Sequence, residues 1–329
     1  MKTKIGIFFD LRNPNWCQRP WAQHYADSLD VIDLAEVVGL DSIWLSEHHL
    51  FEDGYLSQPL VLAAAIAART KQIRIGTGVL LGALRPPILI SEEAILVDII
   101  SNGRLELGFG AGYRKSEFDI YNADFKNRFK NLETCLVEVR RHFHESKSPG
   151  AVQPDIPLWL GYGSANGAKR AGMLGVGLLS LDRSLLNPYL DGLSIGGFSS
   201  QIAKMGGLID LVVTHDPERV RTLLRPHILH QLATYQKYRF EPQDIPEHKK
   251  ISQDYIDAVN REDNPIGTQI LTPEQAISYI QARIDLLPAS DIYCWASIAG
   301  MPNDIVREHV SLLGSIVKPA IQLWQEEKI

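Results

Sequence analysis

Along this chain, short runs of β-branched and aromatic residues alternate with longer stretches of three-to-four-residue apolar spacing, almost from end to end. "KIGIFFD" (4–10) reads as a strand. The stretch 21–39 then places Ala22, Tyr25, Leu29, Ile32 and Ala35 on one helical face before Gly39 closes it. Strand-like runs recur at 41–47, 72–81, 103–112, 157–163, 176–181, 207–216 and 290–297. Helical spacing fills 59–71, 86–101, 126–145, 164–173, parts of 185–206, 217–240, 273–287 and 302–325. Strands that each hand over to helical sequence need crossover connections and therefore pair in parallel. At this length a closed (β/α)8 TIM barrel is the economical solution, with an open doubly wound sheet as the alternative. The polar, periodicity-poor segment 241–272 interrupts the rhythm and is expected to be an insertion, or lid, before the last βα unit of a single domain.

The chemistry falls at strand ends. "SIWLSEHHL" (42–50) is an apolar run that finishes in Glu47, His48 and His49. Burial there is costly unless a cofactor, substrate or partner group solvates them. In a βα barrel the carboxyl ends of the strands line the active site, and adjacent residues on an extended chain face opposite ways. One of the two histidines is thus expected at the reaction centre and the other in packing. Three adjacent side chains cannot converge on one zinc ion, and no HExxH spacing is present. "LGFGAGYR" (107–114) contains G-x-G-x-G but no glycine-rich helix start follows, so the Rossmann pattern is absent. Its glycines, Gly110 among them, would let a flat ligand approach the backbone.

"LWLGYGSANGAKRAG" (158–172) runs from a strand through Gly163 into a helix opened by Ser164, Ala165, Asn166 and Gly167. Such a helix start offers free N–H groups to a phosphate, or is a plain Ser/Asn cap. Arg128, at the beginning of the helix after the fourth strand, could reach a phosphate held nearby. Gly76, Thr77 and Gly78, at the end of the third strand, make room for a planar ring or a tight turn.

Composition narrows the partners. The 329 residues carry a net charge of -6, which offers no general attraction to nucleic acid or anionic lipid, and no apolar run approaches a membrane span. A small-molecule partner is expected. Cys17, Cys135 and Cys294 are odd in number and far apart, which suits reduced thiols in the cytoplasm. The amino terminus turns polar too early for a signal peptide.

"GLDSIWLSEHHL" (39–50), "IRIGTGVLL" (73–81), "SNGRLELGFGAGYR" (101–114) and the Gly-Ser helix start at 161–167, in that order, resemble the bacterial luciferase-like flavin monooxygenases. The resemblance implies a TIM barrel that uses reduced FMN, delivered by a separate flavin reductase, to activate O2 and oxygenate a small organic substrate through a C4a-peroxyflavin. It implies that His48 is catalytic beside the flavin, with Glu47 orienting the site. Ser164 to Gly167 and Arg128 would hold the phosphate, and Gly78-Val79 would form a cis peptide under the isoalloxazine.

Such enzymes need a deep, closable, mostly apolar site. Tyr113 is expected in its walls, with Trp16 and Cys17 near the substrate. Ala111 stands where the luciferases carry a phosphate-binding arginine, and Leu84-Arg85 where many relatives carry histidine. Arg85 is therefore expected to meet an anionic substrate or cofactor tail. A homodimer is implied as well. F420-dependent hydride transfer and flavin binding without turnover are the alternatives.

Overall fold

The computed structural model describes residues 2–146, 149–241 and 267–328. Its centre is a ring of parallel strands. β1 (Lys4–Phe9), β2 (Ser42–Leu45) and β3 (Arg74–Thr77) are adjacent, and β4 (Leu80–Leu81) continues the line of β3. β5 (Leu105–Gly110), β6 (Leu158–Leu160), β7 (Gly177–Leu179) and β8 (Met205–Leu208) follow around the ring. β11 (Ala289–Trp295) pairs with both β8 and β1, and β5 pairs with β3 as well as β4, so the sheet closes into an eight-stranded (β/α)8 barrel. β2 and β5 are buried along their whole length, as strands covered on both faces must be.

The helices around the ring are α1 (Trp21–Val37), α2 (Pro59–Arg69), α3 (Pro87–Ser101), α4 (Lys115–Ile120), α5 (Arg128–Glu145), α6 (Ala165–Met173), α7 (Leu186–Ile195), α8 (Pro217–Phe240), α9 (Pro273–Ile284), α10 (Asn303–Leu312) and α11 (Lys318–Glu326). The barrel interior is filled by rings. Trp44 stacks on Tyr293 with centroids 4.9 Å apart and meets Trp159 edge-on at 6.0 Å. Glycine on the neighbouring strand makes room for each large ring: a Cβ on Gly76 would lie 2.6 Å from Trp44, and one on Gly177 would lie 2.2 Å from Trp159.

Three expectations are corrected. The strand expected over 207–216 is two strands: β8 stays in the barrel, whereas β9 (Leu211–Val213) leaves it to pair with β10 (Gln269–Leu271) in a separate two-stranded sheet. Both are apolar, so periodicity alone merged them. The last helix is interrupted by a π turn at Leu313–Val317. The strand over 72–81 breaks at Gly78-Val79, whose peptide is cis. The expected insertion lies, for 242–266, outside the described residues, and β10 is its described carboxyl-terminal edge.

Candidate active site

A cavity of about 640 Å³ opens at the carboxyl ends of the barrel strands, within the size range of small-molecule sites. Its wall is contributed strand by strand: Phe8 from β1, Glu47 and His48 after β2, Gly78 and Val79 after β3, Gly110 to Tyr113 from β5 onward, Gly161 to Ser164 after β6, and Tyr293 and Trp295 from β11. Tyr55, Phe129, Tyr162 and Tyr235 complete an aromatic lining.

His48 and His49 part company as the strand geometry requires. His48 lines the cavity, with Phe51 stacked on its ring at 5.0 Å and Tyr55 and Tyr113 edge-on at 4.8 and 5.1 Å. Its Nδ1 lies 2.8 Å from Glu117 Oε1, which also accepts the His49 backbone N–H at 2.9 Å. Burial alone would push the Glu117 carboxyl up. The His48 hydrogen bond and charge, the His49 N–H and Arg114 outweigh it and hold the carboxyl below its ordinary value. An ionised carboxylate can only accept, so His48 Nδ1 carries a proton, which leaves Nε2 as the nitrogen a ligand can reach. His49 turns the other way, its Nε2 2.9 Å from Glu47 Oε1 and its ring 4.9 Å from Tyr121.

Glu47 is engaged on both oxygens. Leu81 N–H donates to Oε2 at 2.7 Å, and Arg85 Nη2 reaches Oε1 and Oε2 at 3.3 and 3.4 Å. Its carboxylate therefore ties the end of β2 to β4 and to His49. Arg85 stands behind Glu47, beside Gln58 and Glu93, and is not part of the cavity wall.

At the far end of the cavity, Ser164 caps α6 by accepting Gly167 N–H at 3.2 Å. The N–H groups of Ala165 and Asn166 make no hydrogen bond among the described residues, and no acidic side chain occupies the first turn. Gly163 and Ser164 line the cavity. Arg128 opens α5 with its guanidinium over the rings of Phe125 and Phe129, at 4.2 and 4.6 Å, and its buried Nε has no partner among the described residues. It sits outside the lining itself, although Phe129 next to it packs on Tyr162 at 6.2 Å.

The glycines of β5 serve the protein before any ligand. A Cβ on Gly110 would lie 2.3 Å from Val79 Cγ2, so Gly110 is required by its neighbour in the wall. Trp16 and Cys17 are not in the described lining. Trp16 is 48% exposed and packs on His227 at 4.7 Å, while Cys17 Sγ lies 3.7 Å from the Gly300 carbonyl. Both lie within a 3-10 turn, Asn15–Cys17, between β1 and α1.

Sequence reasoning missed Glu117, Tyr55 and Tyr235, whereas Tyr113 lines the cavity as expected. "RKSEFD" reads as charged surface, and only the fold shows that Glu117 is fully buried under His48. Tyr55 and Tyr235 come from a loop and from α8, and their hydroxyls meet at 2.9 Å in the cavity wall. No local signal marks a pair 180 residues apart.

Residues 3–263 match the family model described as luciferase-like monooxygenase. The oxygenase component of a flavin-dependent trigonelline monooxygenase from Acinetobacter baylyi is 33% identical over 160 residues, 44% of each chain. Among solved structures, the monooxygenase RslO1 from Streptomyces bottropensis superposes with a TM-score of 0.77 at 21% identity, covering 96% of this chain and 99% of that one. An F420-dependent secondary alcohol dehydrogenase superposes at 0.73 with 20% identity, covering 98% and 99%.

Proposed function

The chain belongs to the luciferase-like monooxygenase family, and from that premise we propose that it is the oxygenase of a two-component system, binding reduced FMN in the barrel-mouth cavity and using O2 to oxygenate a small organic substrate. The observation that carries the reading is His48, held from behind by a buried ionised Glu117 and presenting Nε2 to an aromatic cavity. The residues present suit a flavin mononucleotide. The unengaged N–H groups of Ala165 and Asn166, with Ser164 at the helix start, form a phosphate end free of competing carboxylates. Gly78, Val79, Gly110 and Gly163 would face the rest of the molecule, and Arg128 would add positive charge near the phosphate.

Reduced flavin supplies two electrons, so that one oxygen atom of O2 enters the substrate and the other leaves as water. The chain's own part is to exclude water and manage protons. Burial pushes Tyr235 up to about 12 and Tyr55 far above its ordinary value, so both stay neutral hydrogen-bond donors at the wall. His48 Nε2 accepts a proton or hydrogen bond at the reacting end, while Glu47 and Arg85 brace the β2 and β4 ends that carry the site.

A separate flavin reductase as partner follows from the family's two-component members, one of which bears the name oxygenase component. A cytoplasmic homodimer is part of the same reading. It is supported by the apolar residues Leu96 and Ile100 exposed on α3 and Val61 exposed on α2. A second reading, hydride transfer with F420, is supported by the F420-dependent solved structure that shares the fold.

Mixing the anaerobic complex of protein and reduced FMN with oxygenated buffer tests the first reading. Bound flavin is expected to reoxidise more slowly than free flavin and in more than one spectral phase, and His48→Ala to shorten the slow phase. Failure of reduced FMN to bind, or reoxidation as fast as in free solution, would overturn it. Binding of F420 under the same conditions would then favour the second reading.

A further inference from the structure

Behind the tyrosine pair lies a fully buried cation. Arg12, in the loop after β1, is 1% exposed and presents its guanidinium to the rings of Tyr235 at 4.2 Å, Tyr55 at 4.9 Å and Phe51 at 5.3 Å. Nη1 donates to Thr234 Oγ1 at 2.7 Å, yet Nε and Nη2 have no hydrogen-bond partner among the described residues. The acids nearby are at arm's length. Asp10 Oδ2 lies 3.4 Å from Nε, and Asp53 Oδ2 lies 3.8 Å from Nη1 while it is also bonded to His230 at 2.8 Å. A guanidinium shut away from water must be stabilised by its surroundings, and here the two acids and the two tyrosines do so, the Tyr235 hydroxyl among its partners.

The geometry of the phenols says where it is used. Tyr55 and Tyr235 hydroxyls are 2.9 Å apart, so one donates to the other, and the accepting hydroxyl keeps its own hydrogen for a third group. Both residues line the cavity, with His48 edge-on to Tyr55 at 4.8 Å on the open side. The pair, with Ser46 beside the Tyr55 hydroxyl and Arg12 beside that of Tyr235, thus brings hydroxyl groups backed by a fixed positive charge to the same cavity as His48.

We propose that Tyr55, Tyr235 and Arg12 form an oxyanion subsite that selects an aromatic substrate carrying a phenolic oxygen and favours that oxygen as phenolate. The proposal deepens the oxygenase reading and rests on it for the identity of the reaction. Aromatic walls, with Tyr113, Phe8 and Trp295 around the same space, suit a flat ring better than a flexible chain. Ionising a ring oxygen enriches the ring carbons beside it in electrons, which is what transfer of an electrophilic oxygen atom needs. Tyr55 and Tyr235 are thus specificity residues, and Arg12 is a positioning residue that acts through them.

The test uses 4-nitrophenol, whose phenolate is yellow, with the whole protein at a fixed pH close to the dye's own midpoint. Binding is expected to raise the phenolate-to-phenol ratio about tenfold, the effect of about one pKa unit from a neighbouring opposite charge and donor. Tyr235→Phe and Tyr55→Phe, which keep the ring, are expected to abolish that gain while leaving the dye bound. Arg12→Lys, which keeps the charge but not the planar guanidinium, is expected to reduce it. An unshifted ratio in the wild type, no binding of the dye, or a shift that persists in both phenylalanine variants would overturn the proposal. FMN binding, read separately by quenching of flavin fluorescence, keeps the two readings apart. FMN bound without a phenolate shift defeats the subsite alone, and a Tyr-dependent phenolate shift without FMN binding defeats the cofactor assignment alone.

Discussion

Glu106 at the floor of the barrel and Glu117 at its mouth are both buried glutamates held below their ordinary ionisation range, but they are closed in different ways. Glu106 accepts from Lys4 at 3.1 Å, from Trp159 Nε1 at 3.0 Å and from Arg74, so both oxygens are taken. Burial pushes its carboxyl up, and the charges of Lys4 and Arg74 more than offset the push. Glu117 binds His48, the His49 N–H and Arg114 through Oε1, and its Oε2 has no partner among the described residues. Among the described residues, buried polar atoms without a partner occur at both ends: Asp291 Oδ2 and Ser290 Oγ beside Lys4 at the floor, and atoms of Arg12, Asp53 and Arg114 in the loops that follow the strands. What separates the two glutamates is their company: Glu106 ties neighbouring strands together, whereas Glu117 holds a histidine that lines the cavity.

The sharpest break of this contrast is Glu106→Ala. It strands Arg74, Lys4 and the Trp159 N–H at the floor, and is expected to lower stability by ~4 kcal/mol, the range for breaking a buried pair. The urea midpoint at neutral pH reads it, and FMN affinity under conditions where the variant stays folded should be unchanged.

His309 gives the histidine counterpart of the closed arrangement. Val213 N–H donates to its Nδ1 at 2.9 Å and its Nε2 donates to the Trp295 carbonyl at 3.0 Å, which fixes the neutral form. Burial accordingly drives its pKa down to about 4. An unfolded chain binds that proton near the ordinary value of 6.5, so stability is full above 6.5 and falls as the pH drops toward 4, by up to about 3 kcal/mol from this group. His309→Gln should flatten the pH dependence of the urea midpoint across that window.

At the mouth, effects should appear in function first. Glu117→Gln keeps a hydrogen-bonding group beside His48 but removes the charge. Flavin reoxidation in the stopped-flow experiment is expected to change about tenfold, as for other groups that act through a ligand-facing histidine. A reoxidation rate unchanged in Glu117→Gln, with the variant as stable as the parent, would make Glu117 merely structural. The smallest effect is expected of Ser164→Ala. Loss of the α6 cap should cost about 1 kcal/mol, with weakened FMN binding but riboflavin binding, which involves no phosphate, left as it was.

The alternation of strand and helix, the placing of "EHH" at a strand end and the parting of the two histidines were legible because they are local. A side-chain period of 2 or 3.6, a proline at a helix start and a strand terminus all lie within a few residues of one another. What the chain alone could not disclose was the company each residue keeps. Arg85, expected to meet an anion, meets Glu47 in the structure, and Glu117, which no motif marks, is brought under His48 by barrel closure. The break between β8 and β9 was hidden because both runs are apolar, and their different partners come from distant segments. The sequence by itself thus determined the barrel and the addresses of its strand ends. The tertiary structure alone decided which charges are spent on one another and which remain for a ligand, because the pairings span 69 residues for His48 with Glu117 and 180 for Tyr55 with Tyr235, and no local pattern encodes a meeting across a closed ring.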